Sequence, residues 1–223
     1  FKGLIDEVKI ERKSITAKDA MNKYRGEKYT YQYTFESQTA GDSVIQDVSG
    51  DLMAYNLKFK LDADRKAAGG APQYAEGMHA STKALKFDGK TNWVEVQELY
   101  TPGILGGAAA TTVSAWINPE YTTAPAMKPA SQCIIGLGYC NGPELAIRND
   151  TIWASYLYRD NDKPYPNWGP FVSVVFNAPF NAANVWSLVQ LTAQGDTIKD
   201  STYVTLYING ASAATAALKG SHI

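Results

Sequence analysis

Between positions 153 and 168 the chain gathers Trp153, Tyr156, Tyr158, Tyr165 and Trp168 beside Arg159, Asp160, Asn161, Asp162 and Asn167. Sugars present apolar C–H faces that lie on aromatic rings, while carboxylates, amides and guanidinium groups bond their hydroxyls. Tyr156, Tyr158, Arg159, Asp160, Asp162, Tyr165 and Trp168 are therefore the candidate ligand-binding residues. On a strand Tyr156 and Tyr158 share a face, opposite Trp153. The competing reading is a long loop that folds over one sheet on its own aromatics.

Catalysis needs more than this. Glycoside hydrolysis uses two carboxyl groups about 5–5.5 Å apart for retention or about 6.5–9.5 Å for inversion. Asp6 and Glu7 point to opposite faces of a regular strand. Glu7 and Glu11 share a face but stand about 13 Å apart at the strand rise. Glu95 and Glu98 differ in parity. Asp160 and Asp162 read as solvated loop acids. His79 and His222 belong to no recognisable triad, and no His-Glu-x-x-His, Cys-x-x-Cys pair or phosphate-binding loop occurs. The expectation is a protein that is not an enzyme.

The elements that must hold these residues are strands. Leu4–Ile10 ends on alternating aliphatics, and Tyr29, Tyr31, Tyr33 and Phe35 share one face. Further strands are expected at Ala84–Phe87, Trp93–Val96, Thr112–Ile117, Cys133–Leu137, Glu144–Arg148, Thr151–Tyr158, Phe171–Phe176, Trp186–Thr192 and Tyr203–Ile208. Turn pairs such as Asp88-Gly89, Asn149-Asp150 and Asn209-Gly210 separate them. Many short strands with regular turns read as a sandwich or barrel. One short helix is expected over Thr16–Tyr24. Leu61–Thr82, rich in Ala, Gly and Lys, reads as a loop.

Composition narrows the partners. Apolar residues make up 45% of the 223, enough for a sizeable core. Net charge is −1 and no Lys/Arg run exceeds two, so nucleic acid and anionic lipid are not expected partners. No apolar run is long enough to span a bilayer. No signal peptide is visible, which decides little, because a secreted protein loses it. Cys133 and Cys140 lie seven apart around Gly136 and Gly138, compatible with a disulfide across a tight hairpin or with two small buried thiols.

Five stretches, in order, resemble the laminin G-like, or concanavalin A-like lectin/glucanase, jelly roll. Tyr33-Thr34-Phe35-Glu36 with Asp47-Val48-Ser49-Gly50 is similar to its opening strand. Ala84-Leu85-Lys86-Phe87-Asp88-Gly89 followed by Trp93-Val94-Glu95-Val96 resembles its "ALxFDGxxxYVxV" hairpin. Thr112–Pro119 is similar to "FTVSAWVKP", Trp186–Thr192 to "WHHVAVT", and Tyr203–Gly210 to "VKLYVNG". The resemblance implies an all-β, two-sheet antiparallel jelly-roll sandwich. It also implies glycan binding or adhesion at a bacterial surface, extracellular or on a lipoprotein, with a glycan or another surface protein as partner. The Glu-x-Asp-x-x-Glu strand of the sandwich glycosidases is absent. A structural calcium frequently lies near the two ends of this domain, and the matching acids are Asp6 and Asp47. The alternative is that Asp47 caps a turn beside Ser49-Gly50.

One stretch is out of order. Phe1–Ile10 resembles the "FxGxIDEVRIY" strand that normally closes the domain, yet here it comes first. Residues 1–28 thus read as a closing-strand-like segment with a short helix, either permuted or the tail of a preceding repeat. Residues 29–223 read as the jelly roll. Residues 4–10 are expected to pair with 29–35 and complete the sandwich, with Leu4, Val8 and Ile10 on one face and Ile5 on the other.

Overall fold

A computed structural model describes residues 1–11, 31–39, 44–46, 48, 57–61, 73–89, 92–96, 110–120, 131–136, 142–159 and 171–219. All regular structure within them is β. The strands are β1 (Lys2–Glu11), β2 (Tyr31–Tyr33), β3 (Val44–Ile45), β4 (Leu57–Leu61), β5 (Gln73–Glu76), β6 (Lys83–Asp88), β7 (Asn92–Val96) and β8 (Ala110–Pro119). They continue as β9 (Ser131–Gly136), β10 (Gly142–Arg148), β11 (Thr151–Arg159), β12 (Phe171–Pro179), β13 (Ser187–Asp196), β14 (Ser201–Ile208) and β15 (Ala211–Lys219). The helix expected over 16–24 lies outside the described residues.

Eight strands form one antiparallel sheet in the order β15-β14-β13-β8-β1-β6-β5, with β2 also paired to β1. A second antiparallel sheet runs β12-β11-β10-β9, and a small third one runs β3-β4-β7. The inward faces of the two larger sheets share one core. Val113, Ala115, Ile117, Val189, Leu191, Val204 and Leu206 on one side meet Leu145, Ile147, Ile152, Ala154 and Phe176 on the other. This is the layered arrangement of a jelly-roll sandwich.

Two hairpins show how the turn pairs work. Asn149 and Asp150 both take positive φ, 47° and 58°, between the paired ends Arg148 and Thr151. Asn209 and Gly210 do the same, at 51° and 79°, between Ile208 and Ala211. Two residues of positive φ give the turn whose twist matches that of the flanking strands. The Asn209 side chain also accepts the Leu188 N–H at 2.8 Å, tying this turn to the start of β13.

β1 pairs with β2 as expected, through Val8↔Tyr33, Lys9↔Gln32 and Ile10↔Tyr31. It lies between β6 and β8 inside the large sheet. Its parity is corrected. Asp6 pairs with Trp116 but Lys9 with Ser114, so β1 carries an extra residue at a bulge where Glu7 takes φ 45°. The extra residue flips the alternation. Ile5 and Ile10, of opposite parity, are thereby both buried in the core.

β8 and β13 are buried on both faces. On the outward side Thr112, Ser114, Trp116, Gln190 and Thr192 are all covered. Among the described residues neither atom of the Gln190 amide finds a hydrogen-bond partner. Burial of that kind costs about 1–3 kcal/mol. Four strands fall where none was expected: β3, β4, β5 inside the 61–82 loop, and β15.

Candidate functional site

The β10–β11 hairpin decides which aromatics face solvent. Leu145 pairs with Ala154 and Ile147 with Ile152, so the even positions of β11 turn inward with the aliphatics of β10. Tyr156 belongs to that set. It is 6% exposed and part of the core, so it is no platform for a ligand, and the expectation for it is corrected. Trp153, on the opposite parity, is half-buried on the outer face of the four-stranded sheet. The Arg148 guanidinium lies 3.6 Å from the centre of its ring. A cation at that distance from an aromatic face is held by the ring quadrupole.

Trp153 pairs with Ala146 on one side and with Asn177 on the other. Asn177 and Val175 are exposed on the same face, and Glu144 is half-buried beside them. The face therefore offers an aromatic ring, an oriented guanidinium, an amide and a carboxylate on rigid strands. Sequence reasoning placed Trp153 in the cluster but not in the site. The missed signal was the apolar run Ile152, Ala154, Tyr156, which marks the inward side.

Tyr158 and Arg159 lie on β11, paired with Val172 and Phe171. Asp160, Asp162, Tyr165 and Trp168 lie outside the described residues. Cys133 is an exposed free thiol on β9, and Cys140 lies outside the described residues.

Asp6 sits at the β1 bulge with 1% exposure. Its Oδ1 accepts the Glu7 N–H at 2.7 Å and its Oδ2 the Met78 N–H at 3.1 Å. Burial raises its pKa from the ordinary 3.8 to about 7, against the pull of those two N–H groups. The neighbouring Glu7 and Glu36 carboxylates add to the rise. The turn after β5 closes on this carboxyl at Gly77, where any side chain would collide with Asp6 and Thr82. The Gly77 N–H bonds the Thr82 carbonyl at 2.8 Å.

A calcium ion takes about six to eight oxygens. Both Asp6 oxygens already serve backbone N–H groups. Among the described residues no three His, Cys, Asp or Glu side chains gather as metal ligands. Asp47 lies outside the described residues. The described part of the site thus does not by itself make a calcium cage. Nor does Asp6 read as a poised catalytic acid. The open depression of about 410 Å³ nearby is lined by Tyr74, Ala75, Glu76, Ser81, Thr82 and Lys83, without Asp6.

No helix among the described residues is long and apolar enough to cross a membrane. No curated protein and no solved structure matches the chain. A laminin G-type family model, described as the concanavalin A-like lectin/glucanases superfamily, matches residues 88–223. That match spans most of the chain and takes in the four-stranded sheet, β8 and the β13–β15 meander. With two packed antiparallel sheets and one shared core, the chain belongs to the concanavalin A-like lectin/glucanase superfamily.

Proposed function

We propose that this chain is a non-catalytic carbohydrate-binding module of a secreted or cell-surface bacterial protein. The observation that carries the reading is the Trp153–Arg148 pair on the outer face of the four-stranded sheet. Stacking holds the guanidinium in place before a ligand arrives, which lowers the ordering cost of binding. Asn177 and Glu144 supply further hydrogen-bonding groups on the same face. The family also includes glucanases. A degenerate glycoside hydrolase is the weaker reading, because the one carboxyl with a raised pKa among the described residues, Asp6, is held by backbone N–H groups and does not line the open depression.

The test pairs two substitutions on one strand. Trp153→Ala is expected to weaken glycan binding about tenfold or more, a loss of about 1.4 kcal/mol or more, while costing about 1 kcal/mol of stability. Tyr156→Ala is expected to cost about 3 kcal/mol or more by opening a core cavity. A glycan array followed by calorimetric titration reads the first, and a denaturant melt reads the second. Glycan binding unchanged in Trp153→Ala rejects this face as the site.

A structural calcium at Asp6 and Asp47 is a separate proposal, resting on the family resemblance. An ion bound only by the folded state raises the melting temperature by mass action. Chelator is then expected to lower the melting temperature and added calcium to restore it. Coincident curves in chelator and calcium remove the ion from the account.

A second reading, a structural or adhesion module in a surface assembly, is favoured by one observation: the nine-residue strand β15 ends the large sheet, with no described strand on its outer side.

A further inference from the structure

The open depression at the β5–β6 hairpin belongs to the large sheet and plays no part in the Trp153 face. Tyr74, Ala75 and Glu76 of β5 line it, with Ser81 and Thr82 of the turn and Lys83 at the start of β6. Tyr74 pairs with Leu85 and packs against the core, and Glu76 pairs with Lys83. Tyr74 and Glu76, two residues apart, share a face of β5. The depression thus lies at the rim, where the core gives way to charged side chains. Its 410 Å³ falls within the range of small-molecule sites, about 300–1,000 Å³.

Two features set this hairpin end apart from an ordinary turn. Lys83, the cross-strand mate of Glu76, is engaged elsewhere: its Nζ donates to the Gln38 carbonyl at 2.6 Å. Among the described residues the Glu76 carboxylate makes no hydrogen bond or ion pair. Ser81 is the second feature. It is held at φ 69°, where glycine sits without strain and a side chain does not. The turn is tied in place by Gly77 N–H to the Thr82 carbonyl at 2.8 Å, Met78 N–H to Asp6 Oδ2 at 3.1 Å and Thr82 N–H to the His79 carbonyl at 3.0 Å. A serine where glycine would be easier sets a hydroxyl at the lip of the depression, and among the described residues that hydroxyl has no partner. Backbone strain of this kind gathers at ligand sites.

We propose that this depression is a second ligand site, and that it takes one uncharged sugar ring. The Glu76 carboxylate accepts from two neighbouring hydroxyls of the sugar. The Ser81 hydroxyl and the further N–H donors of Lys83 serve its remaining oxygens. Tyr74 gives an aromatic wall for the apolar C–H face. One carboxylate and one ammonium balance each other in the lining, which favours a neutral ring over an anion or a cation. The walls are fixed by paired strands and a tied turn, so binding has little left to order. The site shares no residue with the Trp153 face, and either can fail without the other.

Chemical-shift mapping of the backbone N–H groups tests it, with the methyl glycosides of glucose, galactose and mannose as probes. At least one is expected to shift residues 74–83, with a dissociation constant of about 1 mM. Glu76→Gln keeps the shape but loses the charged acceptor, and is expected to weaken that binding about tenfold. Ser81→Gly is expected to weaken it about threefold or more. The same variant should melt at an equal or higher temperature, because glycine relieves the backbone at φ 69°. A serine that served only the fold would give the opposite pair of results, a lower melting temperature with binding intact. No shift at 74–83 with any of the three glycosides at about 20 mM overturns the proposal. Shifts confined to Arg148–Trp153 overturn it too, since they belong to the other face. So does an affinity unchanged in either variant, or tetramethylammonium binding where the glycosides do not.

Discussion

Deleting residues 1–11 is expected to abolish the folded state rather than to trim an edge. β1 pairs with β8 through seven residue pairs, with β6 through four and with β2 through three. Without it, β6 and β5 lose their connection to β8 within the large sheet. Ile5 and Ile10 leave the core, and emptying a buried isoleucine site to the level of alanine alone costs about 2–5 kcal/mol. Two such losses, with a central row of backbone bonds gone, match or exceed the roughly 5–15 kcal/mol by which a domain is stable. The deleted chain should elute as aggregate and show no cooperative melt, since the gap presents two unpaired strands at once. A synthetic peptide of residues 1–11, added during refolding, should recover soluble protein by filling that gap. A deletion variant that melts like the intact chain would show that the strand is an appendage here.

The sandwich was legible because strand alternation and two-residue turns are local signals. Asn149-Asp150 and Asn209-Gly210 close hairpins in the structure because few residues tolerate positive φ at two successive positions. β15 was not legible. Alanine is a poor strand former, and what holds Ala211–Lys219 in a sheet is the neighbouring β14, whose pattern was read correctly. β5 was hidden for the same reason, inside a stretch whose composition reads as loop. The β1 faces were misread because one bulge reverses parity, and nothing in Asp6-Glu7-Val8 announces it.

The site was half legible. The alternation of Trp153 against Tyr156 was read from the sequence, but which of the two meets solvent depends on the partner strand. Leu145 and Ile147 of β10 claim the Ile152, Ala154 and Tyr156 side for the core, and that pairing is a long-range fact. Asp6 shows the same limit. The family resemblance suggested it as a ligand for a metal, while its environment depends on Met78, 72 positions away.

That environment makes stability depend on pH in an unusual direction. A carboxyl displaced from 3.8 in the unfolded chain to about 7 in the folded one binds its proton more tightly when folded. Its contribution is fully present below about pH 4 and is lost as pH rises through about 7. At about 1.4 kcal/mol per pH unit, the loss across that window is at most about 4 kcal/mol. The melting temperature in chelator should therefore fall from pH 4 to pH 7 and level off above it. A His79→Gln background keeps that histidine out of the reading. Asp6→Asn cannot ionise, so it should flatten the profile while keeping one acceptor for the two N–H groups. Asp6→Ala should flatten it as well, but at lower stability throughout, because the Glu7 and Met78 N–H groups then lack the acceptor they have now. Leaving such a donor buried and unpaired costs about 1–3 kcal/mol. A wild-type profile that rises from pH 4 to pH 7, or a slope that persists in Asp6→Asn, would place the pH dependence elsewhere. It would also return Asp6 to the ordinary role of an ionised carboxylate capping a bulge.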